Sequence, residues 1–386
     1  MRFLCVHQGY ELYGSDRAFI DSVTAMRDAW AGADIEVVVP RHGPIVTPLT
    51  EIASRVVVEP IFVVRRRDLA KLIAFGLFRI VPALWRAARH LRTHDLAYIN
   101  TIVVIDYLLA ARFFAGKVVV HVHEIPEGLT LKVFRLLLVW SRAEVIFNSR
   151  ATQTAFSLPA HQSHHVVYNG TSSPATAATD PYDGSRPLRL LMLGRINRIK
   201  GQDVLIEALA SLPREVAQRL EVRIVGGTFG DGNDAREAML RDRVHADGLE
   251  LIVRFEPFHE HPGELYRWAD VVLVPSKRPE SLGRVAIEAM AFGRPPLVSA
   301  IGGLVEVVED GVTGWHVPPN DAAALAGKIA DILTDPARWR GFPAAARSRY
   351  DAMFGQAAIA KQLQAVIRNR LMANGVERPA RSLARI

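Results

Sequence analysis

The amino-acid sequence predicts an α/β protein made of two doubly wound, parallel-sheet domains. Short apolar runs rich in β-branched residues alternate with helix-length stretches along the chain, the pattern of parallel strands buried on both faces. The alternation stops once, in a segment dense in turn-forming residues, and then restarts. At 386 residues the chain also exceeds what one hydrophobic core usually serves.

In the first half the strand-like runs are Phe3–Val6, Ile35–Val39, Leu96–Asn100, Val118–Val122, Val145–Asn148 and His165–Tyr168. Most are separated by enough chain for a crossover helix. Residues 170–186, Gly-Thr-Ser-Ser-Pro-Ala-Thr-Ala-Ala-Thr-Asp-Pro-Tyr-Asp-Gly-Ser-Arg, form the expected linker. Beyond it, Leu188–Leu193, Val222–Val225, Ile252–Phe255, Val271–Val274 and Pro296–Ser299 read as strands. Helices are expected at Gly201–Leu212, Ala235–Val244 and Val285–Phe292, and a last one from about Phe354 to Met372, before the basic tail Arg378–Ile386. The expected domains are residues 1–180 and 181–350, with 351–386 a helical piece packing back on the first. Two such sheets facing across a cleft offer their strand carboxyl ends, where ligands of these folds bind.

Composition narrows the function. Hydrophobic residues make up 49% of the chain, which argues against general disorder. Forty-seven basic residues against 40 acidic ones give a net charge of +7. That mild excess suits anionic small ligands, an anionic membrane surface or nucleic acid without selecting among them. The single cysteine, Cys5, excludes a disulfide or zinc–cysteine framework and fits a reducing compartment. The apolar run in Met1–His7 is too short for a signal peptide, and no run approaches the roughly 20 residues of a spanning helix. A cytoplasmic protein is expected, soluble or peripheral on the inner face of a membrane.

Two segments of the second half carry chemistry. Leu193-Gly194-Arg195-Ile196-Asn197-Arg198-Ile199-Lys200-Gly201 leaves a strand, turns at Gly194 and enters a helix near Gly201. Arg195 and Lys200 then flank a helix N-terminus whose free N–H groups favour an anion, and a diphosphate suits such a pair. A strand–loop–helix corner with two solvated cations has the same appearance. From Pro275 to Ala291 a strand ends, a loop carries Glu280, and a helix from about Gly283 carries Glu288. Carboxylates at a strand's carboxyl end accept from sugar or ribose hydroxyls, and the amides of Ser281, Leu282 and Gly283 suit phosphate oxygens. The plainer reading is a first-turn acid and a solvated helix residue.

Together the two segments resemble the large family 4 of retaining glycosyltransferases, with its Glu-x7-Glu signature and its GT-B fold of two facing Rossmann-like domains. The matching residues run in order: Gly194-Arg195, Lys200-Gly201, Glu280 through Ala291, Gly302-Gly303 with Glu306, and Asp310-Gly311-Val312-Thr313-Gly314. The likeness is close from about Leu188 to Pro319 and weaker before it. It implies retaining transfer of a sugar from a nucleoside diphosphate sugar to an acceptor hydroxyl, in bacterial-type cell-surface polysaccharide or glycolipid assembly. It further implies that Arg195 and Lys200 hold the donor diphosphate, Glu280 meets the sugar hydroxyls and Glu288 the ribose. Ser281, Leu282 and Gly283 would complete the pyrophosphate cradle, with Gly194 at its first turn and Gly226 of the Gly226-Gly227 turn bordering the nucleotide.

In the first half, the family's Gly-Gly-Ala-Glu-Arg-like loop corresponds to Tyr13-Gly14-Ser15-Asp16-Arg17. Gly14 keeps the close approach to the donor, whereas Tyr13, Ser15 and Asp16 mark the acceptor side. The bare residues also read as a helix entry capped by Ser15 or Asp16. His123, after Val120-His121-Val122, stands where the family often places an active-site histidine. No resident metal or other cofactor is implied beyond the nucleotide sugar as co-substrate: a basic diphosphate site needs no divalent ion, and no Asp-x-Asp pair occurs. A sugar-nucleotide epimerase of related fold and a catalytically idle GT-B scaffold are the alternatives. Incubating the donor alone separates the first, and intact Arg195, Lys200, Glu280 and Glu288 argue against the second.

Residues 61–94 carry Arg65, Arg66, Arg67, Lys71, Arg79, Arg86, Arg89 and Arg92 against one acid, Asp68, interleaved with leucines, phenylalanines and Trp85. Such a stretch can lie on an anionic bilayer, or be a crossover helix with a solvated basic face. Because the family often uses lipid-linked acceptors, the expected partners are the nucleotide-sugar donor, a glycan or lipid-linked acceptor and an anionic membrane surface, and no nucleic acid.

Overall fold

The computed structural model describes residues 1–11, 14–63, 69–171, 181–227 and 234–377, with the backbone alone for 69–79 and 234. The chain divides into two compact units, Met1–Gly170 with Gln356–Ile386, and Thr171–Gly355.

In the first unit, Arg2–His7 (β1), Asp34–Val39 (β2), Arg55–Val58 (β3), Leu96–Asn100 (β4), Val118–Val122 (β5), Glu144–Phe147 (β6) and His164–Val166 (β7) form a parallel sheet in the order β3-β2-β1-β4-β5-β6-β7. The winding direction reverses between β1 and β4, so the loops leaving those strands diverge and open a crevice at their carboxyl ends. Strands β4 and β5 are buried along their whole length, which is why they read as unbroken apolar runs. Leu4, Val6, Ile99 and Val120 pack on one face of the sheet; Phe3, Cys5, Tyr98 and Val119 pack on the other. Complete burial pushes the Cys5 thiol far up, so it stays protonated. The Gln356–Ala373 helix inserts Leu363, Val366, Ile367 and Leu371 into the Phe3–Cys5 side. It is pinned there by Gln364 Nε2 donating to the Ala25 carbonyl at 2.8 Å and by Arg370 Nε donating to Glu144 Oε2 at 2.6 Å.

In the second unit, Leu188–Leu193 (β8), Leu220–Val225 (β9), Val253–Glu256 (β10), Val271–Val274 (β11), Pro296–Ser299 (β12) and Trp315–Val317 (β13) make a parallel sheet in the order β10-β9-β8-β11-β12-β13. Its reversal falls between β8 and β11. Leu190, Met192, Val222 and Leu273 pack with Val204 and Leu205 of the Gln202–Ser211 helix and with Leu325 and Ile329 of the Ala322–Thr334 helix.

Both sheets are the doubly wound, parallel kind expected. Two edge strands, β3 and β13, were not anticipated. Each is short, and an Arg-Val-Val-Val or Trp-His-Val run gains strand character only from its ladder partner. Strand β7 spans His164–Val166 rather than His165–Tyr168, because its partner β6 ends at Phe147, which pairs with Val166. Residues 172–180 of the expected linker and the tail 378–386 lie outside the described residues. Among the described residues, no helix is long and apolar enough to cross a membrane.

Candidate functional site

The crevice of the second unit is bounded by the loops after β8 and β11. Beyond Leu193, Gly194 takes φ +146°, and the chain turns at Asn197, whose Oδ1 accepts from the N–H groups of Ile199 and Lys200, both at 3.0 Å. That turn presents Lys200 and feeds the Gln202–Ser211 helix through Gly201 at φ +85°. A Cβ on Gly201 would stand 2.0 Å from the Pro275 carbonyl oxygen, so glycine is what lets the two loops touch. Lys200 Nζ donates to Glu280 Oε1 at 2.7 Å, and the Ser276 hydroxyl donates to the same oxygen. A cation from one loop and a carboxylate from the other thus meet at the switch point, their side chains 26% and 18% exposed.

The Glu280 loop is supported from its far side. Gly303 N–H donates to the Glu280 carbonyl at 2.8 Å, and a Cβ at Gly302 would fall 2.5 Å from that oxygen. Gly283, at φ +97°, precedes the Arg284–Ala291 helix; ahead of it Leu282 is buried and Ser281 half-buried. On this helix Glu288 accepts from Arg284 Nε at 2.6 Å and from the Tyr266 hydroxyl at 2.7 Å. Burial, then the Glu288 charge, push the Tyr266 phenol well above its ordinary range, so it remains a donor. Arg195 is exposed, and its carbonyl is held by Gln202 Nε2 at 3.0 Å. Gly226 lies against the Gly194 carbonyl, with 1.9 Å between that oxygen and the position its Cβ would take. The structure therefore brings Gly194, Lys200, Gly226, Glu280 and Ser281–Gly283 to one end of one sheet, with Glu288 one helix further in.

The first unit gathers a different set. His7, the last residue of β1, is fully buried; its Nε2 lies 2.7 Å from Asp16 Oδ1 and its Nδ1 2.9 Å from Asn100 Nδ2. Asn100 Oδ1 lies 2.6 Å from His123 Nε2. The register explains the row: Asn100 ends β4, opposite His7 on one side and His121 on the other. The His121 and His123 rings are 4.1 Å apart, and His121 Nδ1 lies 2.6 Å from the Tyr98 hydroxyl. Burial lowers His121 to about 3; burial, then the neighbouring His121 and His7, hold His123 well below its ordinary range. Both imidazoles are neutral at pH 7.

Gly14 opens the Gly14–Ala29 helix with Ser15 half-buried behind it. Asp16 turns its carboxylate inward to His7 and is only 3% exposed. Tyr13 lies outside the described residues, as do Arg65, Arg66, Arg67 and Asp68 of the basic stretch. The sequence reading missed His7, Asn100, Tyr266 and Ser276. A polar residue closing an otherwise apolar strand was the available signal for the first two. Among the described residues, no group of three or more potential metal ligands is gathered.

Residues 184–349 match the family described as glycosyl transferases group 1. A D-inositol 3-phosphate glycosyltransferase of Thermobispora bispora is 38% identical over 182 residues, 46% of this chain and 42% of that protein. One from Catenulispora acidiphila is 40% identical over 185 residues, 47% and 44% of the two chains. The matched part thus spans less than half the length of these curated relatives. Among solved structures, HepE of Anabaena in complex with UDP superposes with a TM-score of 0.78 at 25% identity, covering 96% of this chain and 100% of that one. The same protein with UDP and glucose gives 0.76 at 26% identity, covering 95% and 99%. A sucrose-phosphate synthase of Thermosynechococcus elongatus, at 24% identity, shares the fold with a TM-score of 0.75 over 97% of this chain and 100% of its own. The two parallel-sheet units have the GT-B glycosyltransferase fold, and the match to the group 1 glycosyl transferases falls within the second.

Proposed function

We propose that this chain is a retaining glycosyltransferase that moves a sugar from a nucleoside diphosphate sugar to an acceptor hydroxyl in the assembly of a cell-surface polysaccharide or glycolipid. The observation that carries this reading is the Lys200–Glu280 contact at the switch point of the group 1 domain. A diphosphate entering there takes Lys200 and Arg195 as its cations and the N–H groups of Ser281, Leu282 and Gly283 as donors. Glu280, released from Lys200, accepts from the sugar hydroxyls, and Glu288, already oriented by Arg284 and Tyr266, accepts from the ribose. Gly194 and Gly226 keep side chains out of the nucleotide's path. In the first unit Ser15 borders the acceptor, whereas Asp16, turned inward to His7, does not reach it. Stabilising charge on the departing diphosphate is the main contribution. Fixed cations supply it, so no resident metal is required.

The HepE complexes contain UDP, UDP with glucose, and UDP-glucose, which makes UDP-glucose the first donor to try. Calorimetric titration across nucleoside diphosphate sugars should find one that binds wild type and not Lys200→Ala. Mass analysis of acceptors from a cell extract then identifies the product. Binding of none of these donors, or isomerisation of the donor without any acceptor, would replace this reading.

The reading extends to a peripheral place on an anionic membrane at the cytoplasmic face. The Leu69–Thr93 helix contains no acid, and its outward stripe continues from Val81 and Trp85, 61% and 65% exposed, to exposed Arg89 and Arg92. The acid-free Gly128–Ser141 helix exposes Leu129, Val133, Leu136 and Trp140 beside Lys132 and Arg135. Apolar side chains flanked by cations suit an anionic bilayer surface. Co-sedimentation with phosphatidylglycerol vesicles at low salt should be lost on Leu136→Glu with Trp140→Glu; equal sedimentation of that variant refutes the surface.

A further inference from the structure

A second pair of charges joins the loop after β8 to the loop after β11, beside Lys200 and Glu280. Three residues beyond Lys200, Asp203 lies in the first turn of the Gln202–Ser211 helix. Three residues before Glu280, Lys277 reaches back across the gap, and its Nζ donates to Asp203 Oδ2 at 2.9 Å. The Lys277 N–H donates to the Ile199 carbonyl at 2.8 Å, so main chain and side chain both cross. The same carboxylate oxygen lies 3.2 Å from Arg236 Nη2, on the Asp234–Ala246 helix that follows β9. Because β8 stands between β9 and β11, one acid on the helix after the central strand gathers a cation from each side. Burial alone would raise the Asp203 carboxyl, but Lys277, then Arg236, hold it below the usual carboxylate range, so it is ionised at pH 7.

The two pairs have opposite polarity. At Lys200–Glu280 a cation of the first loop meets an acid of the second, and at Asp203–Lys277 an acid meets a cation. Exchanging partners would set Lys200 against Lys277 and Asp203 against Glu280, so the charges admit one register. We infer that Asp203 is a positioning residue of the donor site, whose grip on Lys277 and Arg236 keeps the two loops in register while a diphosphate claims Lys200 and frees Glu280. That a diphosphate is the ligand rests on the glycosyl-transfer reading; the tie between the loops does not. A lone pair of this exposure, 34% for Asp203 and 29% for Lys277, would hold little. Here two cations share one carboxylate, and a network holds where an isolated pair does not. The Arg236 side chain is 13% exposed, and its Nε and Nη2 are buried with no hydrogen bond among the described residues, so the Asp203 charge is what compensates its guanidinium. Only Arg278 and Pro279 separate Lys277 from Glu280, and proline fixes φ, so a shift of Lys277 is passed on to the Glu280 carboxylate.

Hydrogen exchange of the full chain tests the tie, and kinetics tests its use. In Asp203→Asn and in Lys277→Met the Lys277 amide should exchange about tenfold faster than in wild type, with the amides of β8 unchanged. For transfer from UDP-glucose, or from whichever nucleoside diphosphate sugar wild type accepts, kcat of each variant should fall about tenfold or more with the donor KM changed less than about threefold. The double variant should match Asp203→Asn, since both changes remove the same contact. Lys277→Arg, which keeps a cation for Asp203, should restore most of kcat. If Asp203→Asn does not fold, Lys277→Met and its rescue by Lys277→Arg decide. A Lys277 amide unchanged in the single variants, losses that multiply in the double variant, or a fall in stability with kcat intact overturns the proposal. Inactivity of wild type with every nucleoside diphosphate sugar, beside the expected exchange, overturns the glycosyl-transfer reading and leaves the tie standing.

Discussion

At the switch point of the second unit two loops meet through the partly exposed Lys200–Glu280 pair; at that of the first, β1 and β4 end in His7 and Asn100, both fully buried. The sheets reverse their winding in the same way, so the difference lies in the side chains the strands end on. An exposed ion pair is held by about 1 kcal/mol or less, and its members are free to be claimed by an incoming ligand. A buried polar network is held by every donor and acceptor in it and is costly to leave half-satisfied. One unit is thus equipped to exchange partners and the other to hold a geometry.

The strongest way to break that contrast is to remove the exchangeable pair. Lys200→Ala and Glu280→Ala are each expected to lower kcat about 10²–10³-fold and to leave the unfolding midpoint where it was, because a partly exposed pair contributes little to stability. Steady-state kinetics beside urea titration measures both. Full activity of either variant sinks the assignment, and a large loss of stability would mean the pair is structural.

The contrast also explains what could be read from the chain. The second unit's loops are contiguous segments: Lys200 lies five residues from Arg195, and Glu280 three from Gly283, so chemistry and spacing appear together in a line of sequence. The parallel, doubly wound character of both sheets followed from the alternation of buried runs in both halves. In the first unit, residues 7, 16, 100 and 123 meet only after four crossings of the sheet. Strand periodicity puts His121 and His123 on one face, but Asn100 and His7 join them through register, which no local pattern encodes. Edge strands β3 and β13 escaped for the same reason, since their pairing partner defines them.

Buried carboxylates sharpen the comparison. In the second unit Asp270 accepts from Arg186 at both oxygens, at 2.6 and 2.7 Å, and from the Arg189 N–H at 2.9 Å. Arg186→Ala leaves that charge buried without its guanidinium and should cost about 3 kcal/mol, read as an earlier urea transition of this unit. In the first unit the buried Asp106 instead accepts from the Phe62 and Tyr107 N–H groups at 3.1 and 3.0 Å, and burial pushes its carboxyl up to about 7. Between pH 4 and 7 the folded chain therefore holds a proton that the unfolded chain has released. Stability falls as pH rises through that window and levels off above it. Going from pH 5 to 8, this one group should remove about 2–3 kcal/mol. Asp106→Asn, which keeps the acceptor and has no proton to lose, should abolish that slope. A slope unchanged in the variant would show that another group titrates.

The smallest expected effect tests whether the second unit also contains a held geometry. Glu288 has two partners, the Arg284 guanidinium and the Tyr266 hydroxyl, while the Tyr266 ring is buried and stacked on Phe292 with centroids 5.1 Å apart. Tyr266→Phe keeps the ring and its packing and deletes one hydrogen bond to a carboxylate that Arg284 still holds. If Glu288 meets the ribose in ground and transition states alike, the donor KM should rise a few-fold, about 1 kcal/mol, with kcat unchanged. A fall in kcat at constant KM would instead place Glu288 in the departing-charge chemistry. The second unit would then also contain a held geometry, an acceptor fixed from behind by a buried donor.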